Sequence, residues 1–326
     1  MEKITVIIPN YNGEAYLREC LEALKPSVQR ARVGYRVLVV DNGSSDDSRR
    51  ILEQDFPWVQ RLYLKKNTGF CYAVNRGIEQ SSSPYVLLLN NDTKAYPGFV
   101  QALYDAIEGK PRCFSVSAQM LMWDRPELLD DAGDLYCALG WSRAIGKGYP
   151  AADYEKPMHV FTACAGAAIY RRSVLGRIGL LDELHFAYLE DLDLGYRARI
   201  YGYYNAYEPK AKVLHYGSAS TGSRYNLKKT ELSSCNNAYV VLKNMPPLQL
   251  LVNLPFLFAG FVIKAVFFAR KGMGKEYVKG YGKGIARGLS AAGRRKHVRF
   301  EVRHLPNYLS IQGQLFVNMV RILKKN

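Results

Sequence analysis

Two groups of acidic side chains stand where chemistry would use them. Asp92 closes an apolar run, Val86-Leu87-Leu88-Leu89, with only Asn90-Asn91 between. A carboxylate just past the carboxyl end of a buried strand points into the cleft at a sheet's edge. Hard divalent cations such as Mg2+ or Mn2+ take oxygen ligands and commonly keep phosphate oxygens and waters in their shell. One carboxylate plus a diphosphate is then a sufficient metal site, although an Asp in this position can also cap the following helix. The second group is Glu190, Asp191 and Asp193. On a helix Glu190 and Asp193 share a face, and Asp191 points about 100° away. Asp193 is expected to pair with Arg197, one turn on.

The elements that must hold these groups can be read from periodicity. Ile4 to Pro9 is a short β-branched run, Asn12-Gly13 breaks it, and Leu17, Leu21 and Leu24 recur at helical spacing from about Glu14. Tyr35–Val40 reads as a second buried strand, with Ser44-Ser45-Asp46-Asp47 starting the next helix. A strand at Arg61–Leu64, a helix at Gly69–Gln80 and a strand at Tyr85–Leu89 follow. Pro97 can open one more helix and Gly109 close it. This alternation predicts an open, mostly parallel α/β sheet with helices on both faces. Ligands of such sheets bind outside the carboxyl ends of the strands. Asn10-Tyr11-Asn12, Asp41-Asn42 and Asn90-Asn91-Asp92 all fall there. Beyond about residue 112 the pattern loosens, and regularity returns at Phe161–Tyr170 and Leu189–Tyr201.

Pro9-Asn10-Tyr11-Asn12-Gly13, Val40-Asp41-Asn42-Gly43-Ser44-Ser45-Asp46, Asn67-Thr68-Gly69-Phe70 with Asn75, and Asn90-Asn91-Asp92-Thr93 resemble, in order and spacing, glycosyltransferase family 2. Glu190-Asp191-Leu192-Asp193-Leu194-Gly195-Tyr196-Arg197 is similar to that family's acidic acceptor-side motif, and His215-Tyr216-Gly217-Ser218 to its late histidine motif. The resemblance covers roughly residues 3 to 220, and the subgroup nearest to it is rhamnosyltransferase-like. It implies a GT-A, Rossmann-like fold and transfer from a nucleotide-diphosphate sugar. It also implies a divalent metal, Mn2+ or Mg2+, and a polyprenyl-diphosphate-linked glycan acceptor in cell-surface polysaccharide assembly.

It implies roles for single residues as well. Pro9, Tyr11, Asp41, Asn67, Gly69, Asn75, Asn90 and Asn91 would bind the donor. Tyr11 offers a flat face to the base, Asp41 accepts bonds from base or ribose, and Gly69 lets the backbone approach a phosphate. Asp41 can alternatively cap a helix, and Asn67 and Asn75 can be turn or cap residues. Asp92 and His215 would hold the metal, though a lone His is more often structural. The family often has Asp-x-Asp where this chain has Asn90-Asn91-Asp92, so a single-carboxylate site is expected. Asp191 would be the general base and Glu190 would bind sugar hydroxyls. Glycosidases need two carboxyl groups because their leaving alcohol must be protonated. A nucleotide diphosphate leaves with its charge stabilised by metal, so one base suffices and displacement inverts the anomeric centre. The chain lacks Gln-x-x-Arg-Trp after this region, which implies single additions. Sugar choice is expected to rest on residues 112–165.

Charge divides the chain. Residues 243–326 carry 16 Lys/Arg and two Asp/Glu, +14 of the total +16. The expected organisation is a catalytic unit over 1–242 and a basic, helical, membrane-associating region over 243–326. Leu248 to Ala269 is long enough to span a bilayer, but Asn253, Pro255 and Lys264 favour a helix lying in the interface of an anionic membrane. A helix packed on the catalytic unit with a solvated basic face is the plainer alternative. The tail contains no recognised nucleic-acid module, so no nucleic-acid partner is expected. The six cysteines show no metal spacing, and the N-terminus has no basic segment followed by an apolar run. The location expected from these features is the cytoplasmic face of the cell membrane, peripheral or monotopic. Two other functions compete: a sugar nucleotidyltransferase, disfavoured by the absence of a Gly-rich basic phosphate loop, and a non-catalytic binding protein of the same fold.

Overall fold

The apolar periodicity of the first hundred residues is matched by alternating strands and helices in a computed structural model, which describes residues 2–30, 32–217 and 226–324. In order come β1 (Ile4–Asn10), α1 (Glu14–Arg30), β2 (Tyr35–Asp41), α2 (Ser48–Gln54), β3 (Gln60–Tyr63), α3 (Phe70–Gln80), β4 (Tyr85–Leu89), β5 (Thr93–Ala95) and α4 (Phe99–Ile107). The looser middle holds β6 (Cys113–Met122), β7 (Leu129–Asp131), β8 (Asp134–Tyr136), β9 (Ser142–Ala144), β10 (Met158–Val160), β11 (Ala167–Arg171), α5 (Arg172–Ile178), α6 (Glu190–Ile200) and β12 (Tyr204–His215). Five helices end the chain: α7 (Leu227–Asn244), α8 (Pro247–Arg270), α9 (Gly274–Leu289), α10 (Ala291–Arg294) and α11 (Leu305–Lys324).

The main sheet runs β10-β12-β6-β11-β4-β1-β2-β3. The four strands from β3 to β4 are parallel, as the alternation predicts. Beyond β4 the directions mix, because β11 is antiparallel to both β4 and β6. Side chains alternate across the sheet with period two. Ile4, Val6, Ile8, Leu87 and Leu89 pack under α1, α2 and α4, whereas Ile7, Val86 and Leu88 pack under α3, α5 and α6. Register aligns Asn10 with Asp41 at the carboxyl ends of β1 and β2, beside the end of β4.

Two helix starts lie later than the sequence suggests. α2 begins at Ser48 because Asp46 turns back to accept from the Ser48 and Glu14 amides, holding Ser44–Asp47 as a loop. α4 begins at Phe99, after Gly98 in the left-handed region at φ 87°.

The boundary expected at 242/243 falls inside the last turn of α7. Lys243 is buried and bridges Asp182 (2.7 Å) and Asp193 (2.9 Å), and Asp193 pairs with Arg197 as expected (2.8 Å). Tyr136, Phe161 and Tyr196 share one core with Val240, Leu257, Tyr308 and Leu315, so the terminal helices pack into the same interior as β8 and α6. The charge boundary was a boundary of composition, not of packing.

α8 is inverted relative to a helix of a soluble core. Gln249, Asn253, Leu257 and Gly260 face inward; Gln249 and Asn253 bond Gln312 of α11, and Gln249 also accepts from the Tyr196 hydroxyl. Leu248, Leu251, Leu254, Phe258 and Ile263 face outward, together with Leu309, Val320 and Leu323 of α11.

Candidate active site

A cleft of about 1180 Å³ opens at the carboxyl ends of the central strands. Pro9, Tyr11, Asn67 and Gly69 line one part, Asn90, Asn91, Asp92 and His215 another, and Glu190 and Asp191 a third. The folded chain thus brings ten of the twelve sequence-identified residues to one cavity.

Asp41 and Asn75 are the exceptions, and local hydrogen bonding explains both. The Asp41 carboxylate accepts from Asn10 Nδ2 (3.0 Å), from the Ser44 hydroxyl (2.5 Å) and from the Ser44 amide (3.2 Å), so it is turned into the β1–β2 loops and buried. Asn75 donates to Leu181 O and Glu183 Oε1 and accepts from the Leu181 amide, which ties α3 to the loop after α5. Neither side chain lines the cleft, and both are held by these bonds. Asn42 lines the cleft beside Asp41 and had not been assigned a role; its amide holds Asn67, Thr68 and Gly69 in place. Gly69 has φ 90°, and a Cβ there would strike Phe186 at 2.6 Å, so the loop needs glycine on both counts.

Asp92 follows β4, and His215 ends β12, which pairs with β5. Their Oδ1 and Nε2 atoms are 3.5 Å apart. Behind the ring, Nδ1 of His215 lies 2.7 Å from Asp130 Oδ2, and Lys147 engages the other Asp130 oxygen. Burial opposes a charged ring, but the bonds to Asp130 and Asp92 outweigh it and lift the His215 pKa to about 9. Burial likewise pushes Asp130 up, but His215 and Lys147 hold it at about 2. The carboxylate behind Nδ1 keeps the proton on that nitrogen, so a cation entering the cleft would displace the proton from Nε2, the usual arrangement behind a metal-ligating imidazole. One carboxylate and one imidazole side by side suit Mn2+ or Mg2+ once a diphosphate supplies further oxygens. Among the described residues no group of three such protein ligands occurs. Ser218, the last residue of the histidine motif, lies outside the described residues.

Glu190 and Asp191 open α6, where the helix dipole favours acidic side chains. Asp191 accepts from the amides of Leu192 (2.7 Å) and Ala165 (3.3 Å). Glu190 is buried, and its Oε2 has no hydrogen-bond partner among the described residues. Burial raises the pKa of both, and the charge of Asp191 adds to the rise at Glu190. A base with a raised pKa is stronger at neutral pH. Just before them, Phe186, Tyr188 and Leu189 adopt φ of 62°, 72° and 64°.

Four further groups line the cleft without a motif to announce them. Asp134 and Ser142, bonded to each other at 3.3 Å, come from β8 and β9, and Lys228 and Lys229 come from the first turn of α7. Asp134 and Ser142 lie within the stretch expected to govern sugar choice.

The profile described as glycosyl transferase family 2 matches residues 5–179, more than half of the chain. A Mycobacterium tuberculosis protein, N-acetylglucosaminyl-diphospho-decaprenol L-rhamnosyltransferase, is 28% identical over 251 residues, covering 67% of this chain and 78% of the relative. Among solved structures, GalNAc-T7 with UDP, GalNAc and Mn2+ superposes with a TM-score of 0.58 at 12% identity, over 74% of this chain and 48% of that one. TarS of S. aureus superposes with a TM-score of 0.51 at 16% identity, over 95% and 47%. The chain spans about half the length of these two structures, and at such identities the likeness is one of fold, the GT-A fold.

Proposed function

We propose that this chain, which belongs to glycosyltransferase family 2 by the match over residues 5–179, is an inverting, metal-dependent, non-processive enzyme. In this reading it moves a sugar from a nucleotide diphosphate to a hydroxyl of a lipid-linked glycan. The observation that carries the reading is the single cleft that holds the Asp92–His215 pair and the Glu190–Asp191 pair together. Tyr11 and the Asn42–Asn67–Gly69 loop hold the nucleotide, and Asn90 and Asn91 lie toward the diphosphate. Asp92 and His215 would hold a divalent cation, which would supply neutralisation of the leaving diphosphate's charge. Asp191 takes the proton of the acceptor hydroxyl as that oxygen attacks the anomeric carbon opposite the departing diphosphate. The backbone amides at Asp191 fix the direction of its lone pairs. Glu190, with a free buried oxygen, receives a bond from a sugar hydroxyl.

The relative's name supports an acceptor of the polyprenyl diphosphate class, and in this reading the product serves cell-surface polysaccharide assembly. The outward apolar face of α8 and α11 supports contact with a membrane surface, which in this reading is the cytoplasmic face. α8 is long and apolar enough to cross a bilayer, with 17% of its most apolar window buried. Its inward bonds to Gln312 and Tyr196 favour a helix lying along the interface, with +14 of charge in the same region to meet anionic lipid.

The test is a panel of UDP-, GDP- and dTDP-sugars with Mn2+ and decaprenyl-diphosphate-linked N-acetylglucosamine. Acceptor-dependent release of nucleoside diphosphate with an inverted product is expected. Release of pyrophosphate from a nucleoside triphosphate plus a sugar phosphate would mark a nucleotidyltransferase instead. Nucleotide-sugar binding without release would mark a non-catalytic protein.

A further inference from the structure

The backbone just ahead of the acidic pair is held in a conformation that its own residues disfavour. Phe186, Tyr188 and Leu189 all have positive φ, and none is glycine. L-residues lose stability in the left-handed region, so such a run persists only where neighbours over-determine it. The neighbour here is Asn236, in the middle of α7 and wholly buried. Its Nδ2 group donates to His185 O (2.9 Å), Ala187 O (2.8 Å) and Tyr188 O (2.8 Å), two N–H bonds shared among three carbonyls. Its Oδ1 accepts from the Arg287 guanidinium of α9 at 2.8 Å, which fixes which end of the amide faces the segment. Arg287 reaches that oxygen because α9 lies unusually close to α7. A Cβ at Gly284 would come within 2.1 Å of Cys235 O, and one at Gly280 within 2.1 Å of Ser234 Oγ.

We infer that Asn236 is a positioning residue for transfer, and that Arg287 orients it. Together they clamp residues 185–189 and thereby set the direction from which Glu190 and Asp191 enter the cleft. The same segment reaches the donor side, where Phe186 O accepts from the Cys71 amide at the start of α3 (3.2 Å). The clamp belongs to helices that lie beyond the family-matched residues, so the terminal region takes part in the geometry of catalysis. The inference rests on the proposed role of Asp191.

The test has two arms on the full chain. The first is hydrogen exchange of the peptide covering 185–192, compared with peptides from β1 and β4, in wild type, Asn236→Ala, Arg287→Ala and Arg287→Lys. Loss of the clamp should speed exchange in 185–192 by about 2- to 12-fold, the factor set by one net hydrogen bond, and leave the strands unchanged. The second arm uses whichever nucleotide sugar of the panel releases most diphosphate. Asn236→Ala should lower kcat on the order of 10²-fold, the cost of a misplaced catalytic group, with donor KM within about three-fold of wild type. Arg287→Ala should show a smaller loss, and Arg287→Lys should recover part of it. If Asn236→Ala does not fold, Arg287→Ala carries both arms. Unchanged exchange at 185–192 overturns the clamp, as does acceleration spread evenly over the molecule. Normal kcat with faster local exchange overturns the positioning role. A wild type inactive across the panel refutes the functional reading, and the exchange arm then judges the clamp alone.

Discussion

Replacing Lys243 by Met removes one charge from a buried network and keeps most of the side-chain volume. The network holds two carboxylates, Asp182 and Asp193, and two cations, Arg197 and Lys243, all with side chains at most 6% exposed. Without Lys243, Asp182 keeps the Tyr239 hydroxyl (2.8 Å), and Asp193 keeps Arg197 and Asn244, but one negative charge is left uncompensated. Breaking a buried pair from one side costs about 3–5 kcal/mol. For a chain of 326 residues, unfolding entropy at roughly 2 cal/mol/K per residue converts this to a melting point lowered by about 4–7 °C. The cost should also depend on pH. Burial pushes both carboxyls up, but Arg197 and Lys243 outweigh it at Asp193, and Lys243 at Asp182, holding both below the usual carboxylate range. A lowered folded pKa contributes stability that is complete above the unfolded value of about 3.9 and lost as pH falls toward the folded one. The gap between wild type and variant should therefore be constant from about pH 5 to 8 and narrow below about pH 4. Differential scanning calorimetry across that range measures both quantities. A variant that melts with wild type at pH 7, or a gap that widens in acid, would refute the reasoning.

Other outcomes follow from the cleft and the outer surface. Asp191→Asn should cut turnover by about 10²–10⁴-fold while nucleotide-sugar affinity, read by calorimetry, barely changes. If Glu190→Gln does so and Asp191→Asn does not, the base is Glu190. Because burial raises Asp191, the acidic limb of the wild-type pH–rate profile should lie above the ordinary carboxylate range. Asp92→Ala should abolish both transfer and Mn2+ binding in the presence of nucleoside diphosphate with little change in melting point; full activity in excess EDTA would refute the metal assignment. Asp130→Asn should weaken that Mn2+ binding roughly 10–100-fold by loosening His215, and unchanged affinity would remove Asp130 from the site. The full chain should float with vesicles containing anionic lipid, less so as salt screens charge over roughly 8–10 Å. A Leu251→Asp, Phe258→Asp double variant should stay in the soluble fraction. Equal flotation of the variant would rule out α8 as the contact, and absence of the wild type from vesicles at low salt would end the membrane reading.

Much of this protein was legible along the chain. Strands and helices from Ile4 to Ile107, apart from β5, follow from apolar periodicity, which depends on residues two to four apart. The polar residues that end β1 and β4 reach the cleft because a parallel sheet sends the carboxyl ends of its strands to one edge. The pairing of Asp193 with Arg197 was equally local. What escaped the sequence depends on partners far away in it. Asp41 was turned from the cleft by Asn10, and Asn75 by Leu181 and Glu183. Asp130 met His215 only because β6 pairs with both β7 and β12. The charge step near Lys243 was real in composition, yet Lys243 itself is buried in the ion network of α6 and α7. The apolar run of α8 was plain from the sequence, but its orientation was not, since hydropathy does not say which side meets the body. Tertiary packing decided that: Gln249 and Asn253 bond to α11 and Tyr196 on the inward side, and the apolar side faces out.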